Sequence, residues 1–174
     1  MPDISKHLEV LEGFKNGSYP TLGLSLGSRQ VTPGEKIPRA DTKATPTLLA
    51  PPDLPQGSYA IISIDLDVPF ASFNILSPGA HWVQTGFKIT DQPNRELKSD
   101  DPAVAYWAAA APPPGAAPHR YVFFLYKQMP DSSIPQNYKE KPFGNSQRVR
   151  FDVDGMVKQL KLGEIVAVNY FVSN

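Results

Sequence analysis

The sequence predicts one mainly-β domain, a sandwich or barrel with one or two peripheral helices, and three observations carry that prediction. Nineteen prolines and twelve glycines cut the 174-residue chain into short pieces. Most of these pieces are rich in β-branched and aromatic residues and end at Pro, Gly, Asp or Ser, as strands do. Hydrophobic residues make up 41% of the chain, enough to bury a core, while helical periodicity is confined to two segments.

From the N-terminus, residues 3–13 place Ile4, Leu8 and Leu11 at helical spacing with Asp3 as a cap, so segment 1–14 predicts a helix. His7 falls on its polar side and is expected in solvent. Short strands are expected at 22–27, "LGLSLG", and 45–50, "TPTLLA". Four longer ones follow at 58–68, 80–89, 120–128 and 164–173. Between the last two, "DVDGMVKQLKL" (152–162) sets Val153, Met156, Val157 and Leu160 on one helical stripe ahead of Gly163. The stretch 106–118, "YWAAAAPPPGAAP", can be neither helix interior nor central strand. It reads as a stiff loop, either a surface connector or the wall of a pocket. No repeat or flexible linker divides the chain, so residues 1–174 are expected to form a single domain.

With 17 basic and 17 acidic residues the formal charge is zero, which argues against a nucleic-acid footprint. No apolar run has the length of a transmembrane helix. The absence of cysteine excludes disulfides, thiolate nucleophiles and Cys-ligated metals. The charged N-terminus is not a signal peptide as written, so the default expectation is the cytoplasm, with a removed leader left open.

The chemistry-bearing residues cluster at strand ends. His81 and His119 each open a strand, and Asp65 and Asp67 close the strand 58–68. Residues i and i+2 of a strand share a face, so both carboxylates are expected to point into one space. If the three strand ends meet, two imidazoles and two carboxylates line one cavity and perturb each other's protonation. The bland alternative makes the acids turn caps and the histidines surface residues. Such a set has the donor types for zinc, but no metal is expected.

"DLDVP" (65–69), "HWV" (81–83), "PHRYVFFLYKQ" (118–128) and "PGEKIPRADTKATPTL" (33–48) resemble the signature blocks of the phosphatidylethanolamine-binding protein family. That family includes the Raf kinase inhibitor proteins, the fungal carboxypeptidase Y inhibitors and the plant flowering regulators. Block order and intervals agree over roughly residues 20–172, and the C-terminal "VNYF" strand is closer to fungal or bacterial members. The resemblance implies a large central antiparallel sheet packed with a smaller sheet and helices. It also implies a pocket at the strand ends lined by Asp65, Asp67, Pro69, His81, Ala111, His119 and Tyr121. In the family such a pocket takes phosphate or a phospholipid head group, without a cofactor. Arg120, on the opposite face of its strand, is expected to make structural ion pairs.

This chain departs from the family at the same place. Leu66 replaces the proline between the aspartates, Phe70 and Ala71 replace Ser-Arg, and Ala109 to Ala111 replace a glycine-bearing loop. The inner acid–histidine set is kept while the rim becomes apolar, with Phe70 as a wall. Binding of a small anionic or phosphate-bearing ligand is the leading expectation, with regulation or inhibition of a protein partner beside it, as in the serine carboxypeptidase inhibitors. The alternative is a cofactor-free lyase or isomerase (a dehydratase, isomerase or cyclase) acting on an apolar metabolite. There, Asp65 or His119 would serve as base and His81 or Tyr121 as acid or oxyanion donor.

Overall fold

The computed structural model describes residues 2–174, and Met1 lies outside the described residues. In chain order the elements are helix α1 (Ser5–Lys15), strands β1 (Gly23–Leu26) and β2 (Arg29–Gln30), a single 3-10 turn (Arg39–Thr42), and strand β3 (Thr47–Leu49). Strands β4 (Tyr59–Asp65), β5 (Gly79–Ile89), β6 (Glu96–Lys98), β7 (Ala103–Ala105) and β8 (His119–Gln128) follow. Helices α2 (Gln136–Glu140), α3 (Asn145–Arg148) and α4 (Val153–Gln159) then lead into strand β9 (Leu162–Ser173).

All strand pairings are antiparallel, in the order β2-β1-β3-β6-β5-β4-β8-β9, with β7 on the side of β5. The larger sheet (β4, β5, β7, β8, β9) continues into the smaller (β1, β2, β3, β6) through the long strand β5, whose last residues pair with β6. "Sandwich" therefore describes the fold only loosely, because one bent sheet does the work of two. The sheet curls until the far edge of β9 meets the chain beside β1 and β2. There Leu22 donates to Val168 O at 2.9 Å and Ile37 to Val172 O at 2.8 Å. Those bonds cover an edge that would otherwise present unpaired backbone groups.

β8 is buried on both faces, which is why its sequence is a nearly continuous apolar run. Tyr121, Phe123 and Leu125 point inside the curl with Leu24, Ile37, Trp82 and Phe171. Val122, Phe124 and Tyr126 point outward, under Leu11 and Phe14 of α1 and Met156 of α4. Each such aromatic or aliphatic side chain contributes about 1.5–3 kcal/mol by leaving water. α4 starts where the Asp152 carboxylate accepts from Gly155 N at 2.9 Å, an N-cap that fixes the predicted helix.

Both predicted helices are present, joined by the short α2 and α3, whose four or five residues are too few to show a period. Strands β2, β6 and β7, of two or three residues, are equally silent in sequence. One expectation is overturned. His7 is not in solvent but is among the most buried polar residues, its Nε2 meeting the Tyr126 hydroxyl at 2.6 Å. Helix α1 lies on the sheet through Val10, Leu11 and Phe14, and position 7 shares that face, one turn from Leu11.

Candidate functional site

Three devices bring the strand ends together. First, Asp65 and Tyr121 are direct partners across β4 and β8, so Asp65, Tyr121 and His119 share the inner face. Second, His81 is the extra residue of a bulge. Ser63 pairs with Trp82 and Ile64 with Ala80, leaving His81 without a partner on β4. Simple alternation from the inward Trp82 would turn His81 outward; the bulge re-aims it, and its ring meets Tyr121 edge-on at 4.9 Å. Third, the Pro-rich loop is pinned down. Ala108 N donates to His81 O at 2.9 Å, Ala110 N to Thr42 Oγ1 at 2.9 Å, and Trp107 Nε1 to Thr42 O at 2.8 Å. None of Ala109, Ala110 and Ala111 has a positive φ, so the alanines fit the loop as it stands.

The two histidines are held in opposite states. His119 Nδ1–H donates to Asp65 Oδ2 at 2.8 Å. Burial disfavours the imidazolium, but the Asp65 hydrogen bond and charge, helped by Asp67, outweigh it and raise the His119 pKa. His81 Nδ1 lies 2.7 Å from Ala108 O, and since a carbonyl only accepts, that nitrogen carries the proton. Burial is the main influence on His81 and pushes its pKa down, so it is neutral with Nε2 free to accept. The Asp65 partner thus favours the charged ring at His119, while burial favours the neutral ring at His81. Tyr121 stays a neutral phenol, its pKa driven far up by burial and then by the Asp65 charge.

The inner face also holds polar atoms with no partner. His119 Nε2, Tyr121 Oη and Ser173 Oγ are all buried and unpaired. The Pro69 carbonyl approaches His119, and the Ala111 amide approaches Tyr121, without closing a hydrogen bond. Ser173 pairs with His119 in register across β8 and β9, so its hydroxyl joins the same group. Sequence reading missed Ser173, and only the register identifies it. Orphaned buried donors cost about 1–3 kcal/mol each, and three together are unusual for a packed interior.

Asp67 goes elsewhere. β4 ends at Asp65, so the i, i+2 rule no longer governs residue 67, and its carboxylate turns to Arg120. Arg120 donates to it through its backbone N at 2.8 Å, Nε at 3.0 Å and Nη2 at 2.8 Å. The expected structural ion pair of Arg120 is therefore present, and Asp67 is its partner. With Asp65 bound to His119 and Asp67 to Arg120, the four groups do not form a metal-ligand set. Outside them, the loop 66–78 carries an apolar rim, with Phe70 42%, Phe73 59% and Ile75 49% exposed. Ser77 holds this loop, accepting from Val68 N at 2.8 Å and donating to Leu66 O at 2.9 Å.

Among the described residues no helix is long and apolar enough to cross a membrane. A family model described as phosphatidylethanolamine-binding protein matches residues 27–171. The chain is 34% identical over 120 residues, 66% of its length, to "Phomoidride biosynthesis cluster protein N" of Talaromyces stipitatus, of which that match covers 58%. It is 29% identical over 163 residues to "CEN-like protein 1" of Nicotiana tabacum, covering 94% of this chain and 84% of that one. It is 28% identical over 128 residues to the carboxypeptidase Y inhibitor of Saccharomyces cerevisiae, covering 65% and 58%. The alignments thus span somewhat more than half of two of these three relatives. Among solved structures, a carboxypeptidase Y inhibitor complexed with its cognate proteinase superposes with a TM-score of 0.70 at 22% identity, covering 98% of this chain and 92% of that one. A phosphatidylethanolamine-binding protein from Plasmodium vivax gives 0.66 at 18%, covering 98% and 95%. At these identities the structural likeness concerns the fold.

Proposed function

Since the chain belongs to the phosphatidylethanolamine-binding protein family, we propose that its His81–His119–Tyr121 cluster binds the polar end of a small ligand, whose apolar part rests on Phe70 and its neighbours. The observation that carries this reading is the group of unpaired buried atoms, His119 Nε2, Tyr121 Oη and Ser173 Oγ, on one inner face. A ligand oxygen arriving there gains charge-assisted bonds that the empty protein forgoes. Phosphate and phosphorylethanolamine are the first probes. Titrating them while following the His81 and His119 imidazoles by NMR supports the reading if both rings shift saturably, and silence at both rings rejects it for anionic head groups.

A second reading, acid–base catalysis, is favoured by the opposite states of the two imidazoles. Groups whose environments push their pKa values apart mark acid and base roles. Here His81 is the base through its free Nε2, while His119 and Tyr121 donate to a developing oxyanion. That assignment exchanges the roles expected for His81 and His119 and keeps Tyr121 as donor, because Asp65 is committed to holding His119. The Talaromyces relative is named a biosynthesis cluster protein, which supports screening small metabolites for turnover. For inhibition of a protein partner, suggested by the name of the yeast relative, α1 is a poor handle: Leu11 and Phe14 are buried against this chain's own sheet.

A further inference from the structure

Arg148, the last residue of α3, lies beside this site and has no counter-charge. Its Nη1 donates to Ala80 O at 3.1 Å and His81 O at 3.2 Å, and its Nη2 to Tyr106 O at 2.8 Å. Those carbonyls belong to the β5 edge at the bulge and to the start of the Pro-rich loop. A guanidinium has five N–H groups, and Nε–H makes no bond here. No carboxylate among the described residues pairs with it, whereas Arg120 is neutralised by Asp67 and Arg29 by Glu35 and Asp41. Half-buried, it is a cation held in place by three backbone carbonyls, with no carboxylate against it.

The segment carrying Arg148 is stitched to both sides of the mouth. Arg150 N donates to Leu76 O at 2.7 Å and Phe151 N to Pro78 O at 2.9 Å, in the loop bearing Phe70, Phe73 and Ile75. On the other side its own bonds reach His81 and the exposed Tyr106. The inner cluster, by contrast, holds the Asp65 carboxylate, and its imidazolium is already paired. A charged ligand group that reaches the inner donors therefore still lacks an unshared counter-charge, which Arg148 beside them supplies. Arg39 is the cation that acts on Tyr121, as Arg148 acts on His81, but it is exposed and no hydrogen bond fixes its side chain.

Resting on the reading of the site as a ligand pocket, we propose that Arg148 is a binding residue that takes a carboxylate or phosphoryl group of an amphiphilic ligand at the mouth. The apolar chain of that ligand then lies on Phe70, Phe73 and Ile75, and its remaining oxygens reach the inner donors.

The test compares octanoate, neutral octanamide and inorganic phosphate on wild type, Arg148→Gln and Arg148→Lys, with folding checked by thermal melts. Wild type is expected to bind octanoate about tenfold more tightly than octanamide, the worth of one charge-assisted bond. Arg148→Gln should erase that preference and leave octanamide binding unchanged, while Arg148→Lys should retain part of it. Inorganic phosphate that binds wild type as tightly as octanoate and loses that affinity in Arg148→Gln would assign Arg148 to the anion alone and overturn the amphiphile. Equal binding of octanoate and octanamide by wild type overturns the role of Arg148 and leaves the pocket standing. Failure of all three probes to bind wild type overturns both. Should Arg148→Gln not fold, Arg148→Lys and the octanoate–octanamide ratio in wild type still decide.

Discussion

Asp65 Oδ2 and His119 Nδ1 lie 2.8 Å apart, both side chains almost fully buried, and this pair favours the charged form of His119 against its burial. It holds the proton of His119 while the ring's other nitrogen faces the cluster without a partner.

The first prediction is that His119 titrates above the ordinary histidine value of about 6.5. Burial opposes the charged ring, and Asp65 more than offsets it. Because the folded pKa is raised, the stabilisation is complete below the unfolded value and is lost as pH rises through the folded one. Asp65→Asn should bring the His119 pKa below that of wild type, read from its imidazole resonances between pH 5 and 9. An unchanged titration in the variant would remove Asp65 as the cause.

His7 is predicted to act in the opposite sense. Burial lowers its pKa, with Asp154 raising it and Lys6 lowering it further. The folded state therefore binds a proton less readily than the unfolded chain, and stability should fall as pH drops below about 6.5. Tyr126 occupies Nε2, and Nδ1 lies 4.0 Å from Asp154 Oδ1, beyond hydrogen-bond reach. Replacing His7 by Gln should flatten the acid limb of a urea-stability profile between pH 7 and 5. A profile as steep as wild type would place the acid sensitivity elsewhere.

Arg120→Ala should destabilise the fold by about 2–3 kcal/mol, below the 3–5 typical of a fully buried pair because the guanidinium reaches solvent. The loss arises from the Asp67 carboxylate, which is buried and keeps only its bond from the residue 120 amide. Urea unfolding of Arg120→Ala and of Arg120→Ala with Asp67→Asn checks this. The double variant should recover part of the loss, and no recovery would contradict a stranded charge as its source.

Much of the fold was legible because strands β4, β5, β8 and β9 combine β-branched or aromatic runs with sharp Pro and Gly boundaries. His119 was legible as the residue that opens a strand, and Tyr121 joined it only through the family resemblance. His81 meets Tyr121 only because the bulge turns it inward, and a bulge leaves no mark in a single sequence. Asp67 was misread because the strand ends two residues early: Leu66 N still bonds Arg120 O, but Arg120 N turns to the Asp67 carboxylate. Arg148, Thr42 and Ser173 were invisible: each reaches the site through long-range backbone contacts or register that no local pattern encodes. His7 was misread because a helix with a half-polar stripe does not announce that Tyr126 waits beneath it.

The measurement that tests the central claim most directly is the stability and binding of Tyr121→Phe. The Tyr121 hydroxyl is buried and unpaired, so the fold gains nothing from it and removing it spares a desolvation cost. The variant should be as stable as wild type or more so, by up to about 1 kcal/mol in urea unfolding, while its affinity for phosphorylethanolamine drops about tenfold. A variant destabilised by more than about 1 kcal/mol, with binding unchanged, would show that the hydroxyl serves the fold and that these unpaired groups are not kept for a ligand.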